Sequence, residues 1–562
     1  MESEDQEPGS EQPHDAEAPQ QEQPPDMISG QESDMLSPPS DGDVLSGAVP
    51  PADKKAATTE SEAPATATQP KPGFREWLSA HWGPYRRWRW YRESHGRDDV
   101  TFWIKHDPEE NRAGKLPSDE RVELPCIWVA ELYTPSTITG LLNGIADLGW
   151  EHGKMSDQSL LKWMADVRHG RRAGWVNLGL VSPRDKPHFA RDREAELPEG
   201  VQVAFPAVMS LTPGVTAFVM QFVLDDETAM SLEPALRAEY NTYLSNDPLF
   251  RRRHLIPHVL WNRSARLGRQ IHRPDVQRRD AVRARLADLE TRCTKWVRRF
   301  MPGVFAHDEG RQNPTAFLFV AERARPLHDE TRRMRAFEGL GIDRDYDAWG
   351  SEEWPGGRLV LPRGWDGDVP RLVFGCRRSD AFPERPGYAD PESNWTIAQR
   401  ANDYVQGLLT RFAVSTILNA YHQTLSILRD KIAREESNRP VRALRELREL
   451  ARTESFDIEI ASREIKAFAE SRWYSHDVIE MKYVEQIRGE HPDLLKELQA
   501  FQKERASQVA EESRLLLTTL STTSNVTQTI SNIRIQRLLI GLTVISVGIA
   551  IAALLIARGA GS

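Results

Sequence analysis

Three short stretches carry carboxylates or imidazoles at spacings that chemistry can use. In "DRDYDAWGSEEW", Asp343, Asp345 and Asp347 stand at alternate positions, as the first ligands of a calcium loop do. The sixth position of such a loop needs glycine for its turn and the twelfth a bidentate acid; here they are Ala348 and Trp354. A calcium site is therefore not expected. His254 and His258 are spaced i, i+4, but Pro257 lies between them and spoils a shared helical face. "VLDDET" (223–228) puts carboxylates at a strand end, where catalytic acids often sit; capping of the helix that follows is the competing and favoured role. The chain has no GxxxxGK[ST], GxSxG, HExxH or GxGxxG pattern. No catalytic, metal or cofactor-binding residue is assigned, and the chain reads as a non-enzyme.

Charge offers a stronger signal. Residues 250–300 hold fifteen Lys and Arg against four acids. Val282, Leu286, Leu289, Cys293, Trp296 and Phe300 recur every three or four residues, which predicts a helix with one face in a core. Arg278, Arg279, Arg283, Arg285, Arg292, Lys295, Arg298 and Arg299 fill much of the rest and form a candidate surface for an anionic partner. Anionic lipid headgroups, nucleic acid and the chain's own acidic tail all fit such a face, with nucleic acid not favoured; so does a solvated helix with local carboxylate partners. "YRRWRWYR" (85–92) interleaves Arg with aromatics and suits base stacking or a lipid interface, or a hairpin with one face on the core.

The third signal is at the C-terminus. Leu538 to Ala557 are twenty residues without a charge, long enough for a helix of about 30 Å, the thickness of a bilayer core. This predicts a single transmembrane helix at 536–558, with residues 559–562 beyond it. Arg534 and Arg537 before the stretch, against Arg558 after it, place the N-terminal bulk in the cytoplasm by the positive-inside rule. Thr543, Ser546, Ala550, Ala553 and Ala557 form a small-residue stripe, a common association surface between helices in lipid. Continued backwards, the register gives Thr518, Thr522, Asn525, Thr529, Asn532 and Gln536. That uncharged polar stripe is either a pore lining or a flexible polar neck.

These residues need a scaffold. Residues 1–70 contain no aromatic residue, eleven prolines, sixteen acids and two lysines, and carry −14; the whole chain carries −10, so the remainder sums to +4. Such a segment is expected to be disordered. Aromatic runs on either side of a polar turn predict a β-hairpin over Phe74–Asp107. "CIWVAELYT" (126–134) reads as a buried strand. Helices are expected at about 138–148, capped by Ser136 or Thr137, and at 158–168, followed by the strand "GWVNLGLV". "VQVAFPAVMSL" and "VTAFVMQFVLD", joined by Thr212-Pro213-Gly214, read as strands covered on both faces. "TAFLFVAE", "RLVLP" and "RLVFGCR" supply further strands. Beyond Trp395 the strands are expected to cease, with helical runs at 396–437, 440–488 and 493–557. Cys126, Cys293 and Cys376 show no CxxC pairing, which suits a reducing compartment and excludes a thiolate zinc cluster.

The expected architecture is an α+β (mixed α/β) domain over 71–390, then a helical stalk or coiled-coil region over 391–535 and the span. This layout resembles that of CorA-type divalent cation channels. The resemblance implies an oligomeric ion pathway, but the Gly-Met-Asn signature and second span of that family are absent here. The reading taken from the sequence is a tail-anchored, homo-oligomeric sensor or scaffold at the inner membrane, with a channel as the alternative and an enzyme with an unrecognised site as a third.

Overall fold

The computed structural model describes residues 98–152, 159–170, 174–185, 188, 191–246, 269–308, 310–328, 335–338, 340, 347–361, 371–381, 390–435, 455–484 and 492–559. The acidic segment 1–70, the run at 85–92, His254, His258, Asp343 and Asp345 lie outside them.

The backbone of the fold is a mixed sheet of eleven strands: β1 (Val122–Tyr133), β2 (Gly174–Asn177), β3 (Val181–Ser182), β4 (Arg193–Glu194), β5 (Val201–Ser210), β6 (Thr216–Leu224), β9 (Thr315–Ala321), β10 (Ala348–Gly350), β11 (Gly357–Val360), β12 (Arg371–Arg377) and β13 (Lys482–Tyr483). Its order is β13-β10-β11-β12-β9-β1-β6-β5-β3-β4, with β2 also pairing β5. β7 (Tyr243–Asn246) and β8 (Arg269–His272) form a separate antiparallel pair. β1 lies between β6 and β9, antiparallel to both, and β12 runs parallel to β9.

Among the described residues ten helices accompany the sheet: α1 (Asp98–Gly114), α2 (Ile138–Asp147), α3 (Leu160–Arg168), α4 (Asp226–Ala229), α5 (Glu233–Arg237), α6 (Pro274–Phe300), α7 (Arg335–Glu338), α8 (Asn394–Glu435), α9 (Ser455–Glu470) and α10 (Leu494–Gly559). They cover both faces of the sheet, so its central strands read as continuous apolar runs rather than alternating ones. In β1, Cys126, Trp128, Ala130 and Leu132 share one core cluster with residues of α8, α9 and α10, while Ile127, Val129 and Tyr133 share another with residues of α2 and α6. A register shift between Glu123 and Cys126 moves Val122 and Leu124 onto the second face despite their even numbers. Burying each large side chain here contributes about 1.5–3 kcal/mol.

The mixed α/β class and the strands at 126–134, 201–211 and 215–225 stand as expected. Several other expectations do not. Among the described residues no helix is long and apolar enough to cross a membrane, which overturns the transmembrane helix at 536–558 and with it the single-pass, tail-anchored placement in the inner membrane. The channel layout depended on that span.

The second half of the hairpin expected at 74–107 is also corrected, because Asp98–Gly114 is helical with Pro108 inside and Phe102 and Ile104 facing solvent, while residues 74–97 lie outside the described residues. Strands do not cease after Trp395, since β13 pairs with β10. Thr137 stands at the N-cap of α2, but neither its hydroxyl nor that of Ser136 makes a capping hydrogen bond. The Thr137 hydroxyl accepts from the Thr134 amide at 2.9 Å, and the Ser136 hydroxyl donates to Asp457.

The helical region from Asn394 onward does not stand apart as a stalk. The Trp128 indole N–H donates to the Asn402 side-chain oxygen at 2.8 Å, and the Gln221 amide donates to the Ala398 carbonyl at 2.6 Å, pinning α8 to the middle of the sheet. Helix α10 is tied to α8 in turn. The Gln502 amide donates to the Arg411 carbonyl at 2.7 Å and to the Ser415 hydroxyl at 2.8 Å.

Candidate binding cavity

The residues singled out in the sequence do not converge. On α6, Arg278 is buried: it donates to the Asn111 side chain at 3.0 Å and lies over the Tyr240 ring, so it is removed from any exposed basic face. Arg298 is turned inward to Asn313 and the Arg311 carbonyl. Arg279 and Arg292 are half-buried, and Arg292 pairs with Asp288 and Glu199. Arg283, Arg285, Lys295 and Arg299 remain exposed, with Arg285 beside Asp288. Local carboxylates thus answer part of the charge, and the exposed remainder is four residues.

On α10 the Thr518, Thr522 and Thr543 hydroxyls donate to the carbonyls of Arg514, Thr518 and Leu539 on their own helix. Asn532, Gln536 and Ser546 are exposed. The side chains of Asn525, Thr529, Ala550, Ala553 and Ala557 lie outside those described. Asp225 caps α4, accepting from the Thr228 amide at 2.8 Å, which is the favoured sequence reading of that acid. Asp347 accepts from the Tyr483 hydroxyl, and among the described residues no group of His, Cys, Asp and Glu could hold a metal.

A different place in the fold gathers chemistry. A cavity of about 710 Å³ lies where β2 and the end of β5 meet α8, the end of α9 and the segment after it. From β2 comes Trp175, 47% exposed, whose indole N–H donates to Asp477 at 3.0 Å. From α8 come Asp403, Tyr404, Gln406, Gly407 and Arg411. From the segment after α9 come Trp473, His476 and Asp477, with the Trp473 and His476 rings stacked at 5.0 Å and the His476 imidazole 3.0 Å from the Asp477 carboxylate. Glu353 stands on the wall between β10 and β11.

Arg411 organises this wall. Its guanidinium is buried among the Phe468 and Tyr474 rings and donates to the carbonyls of Gly407, Trp473, Tyr474 and His476 at 3.1–3.3 Å. Burial pushes its pKa down to about 10, with Tyr474 and Asp477 pulling the other way, so it is a cation at neutral pH. Among the described residues no carboxylate pairs with it directly.

Two backbone features let the segment close on α8. Asp477 sits at φ +53, in the left-handed region that Asp tolerates better than most residues. Gly407 has no side chain to obstruct it; a Cβ there would stand 2.5 Å from the Asp477 carbonyl oxygen. Beside the cavity, Gln406 is 5% exposed, and among the described residues its side-chain nitrogen, which has no accessible surface, lacks a hydrogen-bond partner, an arrangement that costs about 1–3 kcal/mol.

No motif announces this site, because its walls come from residues 174–211, 353, 403–411 and 468–479. The one local trace is the density of aromatic and charged types in "SRWYSHD" (471–477), inside a run read as helix. No protein family, curated protein or solved structure matches the chain.

Proposed function

We propose that the chain is a recognition protein of the sensor or scaffold type, whose α/β domain binds a small polar organic molecule in the cavity beside α8. The observation that carries this reading is the cavity itself, with the exposed rings of Trp175 and Trp473 and the exposed carboxylates of Glu353 and Asp477 on its wall. Pockets of this size with flat aromatic walls and a few fixed polar groups are the usual form of small-molecule sites. The bond from Gln502 to the Arg411 carbonyl supports the sensor aspect, since it joins the cavity wall to the long helix α10.

The test is a thermal-shift screen of the full chain against a broad set of polar small molecules, repeated on Trp473→Ala. Compounds that raise the melting temperature of the native chain should lose that effect in the variant. A screen without stabilising compounds, or one whose compounds stabilise both proteins equally, rejects the reading.

One observation favours a second reading. The His476–Asp477 contact is the pairing that orients a general base. Under it, the cavity would support hydrolysis, and His476→Gln would abolish turnover of any compound found to bind while leaving its affinity intact.

A further inference from the structure

Helix α10 outruns the helix it packs on. The Gln502 amide reaches the Arg411 carbonyl and the Ser415 hydroxyl of α8, and further along Glu512 faces His422 at 3.0 Å. The two helices therefore run parallel. Counted forward at equal rise, α8 ends at Glu435 opposite about residue 525 of α10.

Past that level α10 carries large apolar side chains in solvent. Ile535, Leu538, Leu542, Ile545 and Ile549 are 52–68% exposed and recur at alternating steps of three and four residues. That spacing is the a and d seam of a coiled coil, a surface complementary to itself. Leu539, Ile540, Val544 and Val547 are exposed as well, so the apolar face is wider than a two-stranded seam.

The area is that of an interface. Large apolar side chains within 533–549 leave roughly 1,000 Å² in solvent, more than the largest patch of an ordinary monomer and above one partner's share of a stable interface. No charge falls within 538–549, so identical helices meet there without repulsion. A partner with a single apolar stripe would leave part of the wider face bare.

We propose that residues 535–549 of α10 are a self-association surface, on which three or more copies of this chain pack their helices along the seam of Ile535, Leu538, Leu542, Ile545 and Ile549. The seam lies on a different side of the helix from the small-residue stripe through Thr543 and Ser546. It shares no residue with the cavity and needs no ligand there.

Sedimentation equilibrium of the full chain at micromolar concentration tests it. The native chain should give a defined mass at least threefold that of the 63.9 kDa chain. Leu542→Glu combined with Ile545→Glu puts two charges per helix into the seam and should give the monomer. Both positions are exposed, so the variant should keep the native far-ultraviolet circular dichroism. Gln536→Glu, an exposed change off the seam, should remain assembled.

A native chain that sediments as a dimer, or as a monomer either bare or with bound lipid, overturns the assignment. So does an aggregate without defined mass, or an assembly that survives the double variant and therefore forms elsewhere.

Discussion

The Trp175 indole donates to the Asp477 carboxylate at 3.0 Å across 302 positions of sequence, joining a strand of the sheet to a segment that follows the ninth helix. Both residues line the cavity. Their bond holds only while the backbone at Asp477 rests against α8, and that contact depends on a residue without a side chain.

Gly407→Ala tests that dependence. Within a helix the change ordinarily stabilises by about 1 kcal/mol. Here the new methyl meets the Asp477 carbonyl, so a net loss of about 1–3 kcal/mol is expected in urea unfolding, with a shift in tryptophan emission as Trp175 loses its partner. A variant more stable than the native chain would show that the segment does not lie against α8.

Glu131, fully buried on β1, gives a pH signature. Burial raises its carboxyl from the ordinary 4.5 to about 7, against the opposing pull of donors on Phe305, Asn313 and Leu132 and of the Arg298 charge. Because its pKa is higher in the folded state, folding favours the protonated form. The stability it contributes is complete below the ordinary carboxylate range and is lost as the pH rises toward 7. At about 1.4 kcal/mol per unit, the change amounts to roughly 3 kcal/mol. Urea unfolding of the native chain and Glu131→Gln across this window should give curves that diverge, the native chain falling more steeply. Parallel curves would disprove the shift.

The Trp128–Asn402 bond joins the centre of the sheet to α8. Asn402→Leu leaves the buried indole N–H unpaired and should cost about 1–3 kcal/mol. Adding Trp128→Phe removes that orphan, so the double variant should be more stable than the sum of the two single losses predicts. Strict additivity would mean that the bond does not form in solution.

The three thiols are all buried, and burial pushes each upward, Cys376 to about 12. A thiol-reactive dye at mildly alkaline pH should label none of them in the native chain and all three in concentrated urea. Rapid labelling of the native chain would place at least one thiol at the surface.

The sequence discloses the core better than the site. The runs around Trp128, Phe205 and Phe218 are apolar at every position because helices cover both faces of the sheet, and that pattern is local. The Phe74–Asp107 segment misleads because aromatic runs favour strands, yet Phe102 lies exposed on α1. β13 is two residues long and exists only through its partner Gly350 and Trp349, so no periodicity could reveal it. Arg278 looks like its exposed neighbours on α6, and only the position of Asn111 and Tyr240 takes it inside. The uncharged, apolar run 538–557 pointed to a membrane span, whereas no described helix has the length and apolarity to cross one. The cavity was hidden for a different cause: Trp175, Gln406 and Trp473 become neighbours only through tertiary packing.

That scattered origin has a consequence for biosynthesis. A ribosome delivers Trp175 long before it delivers Asp477, so a nascent chain can pair β1, β5 and β6 while the cavity still lacks one wall. The cavity is therefore completed only late in translation, and a chain cut short before residue 468 would lack one of its walls however well β1, β5 and β6 had paired.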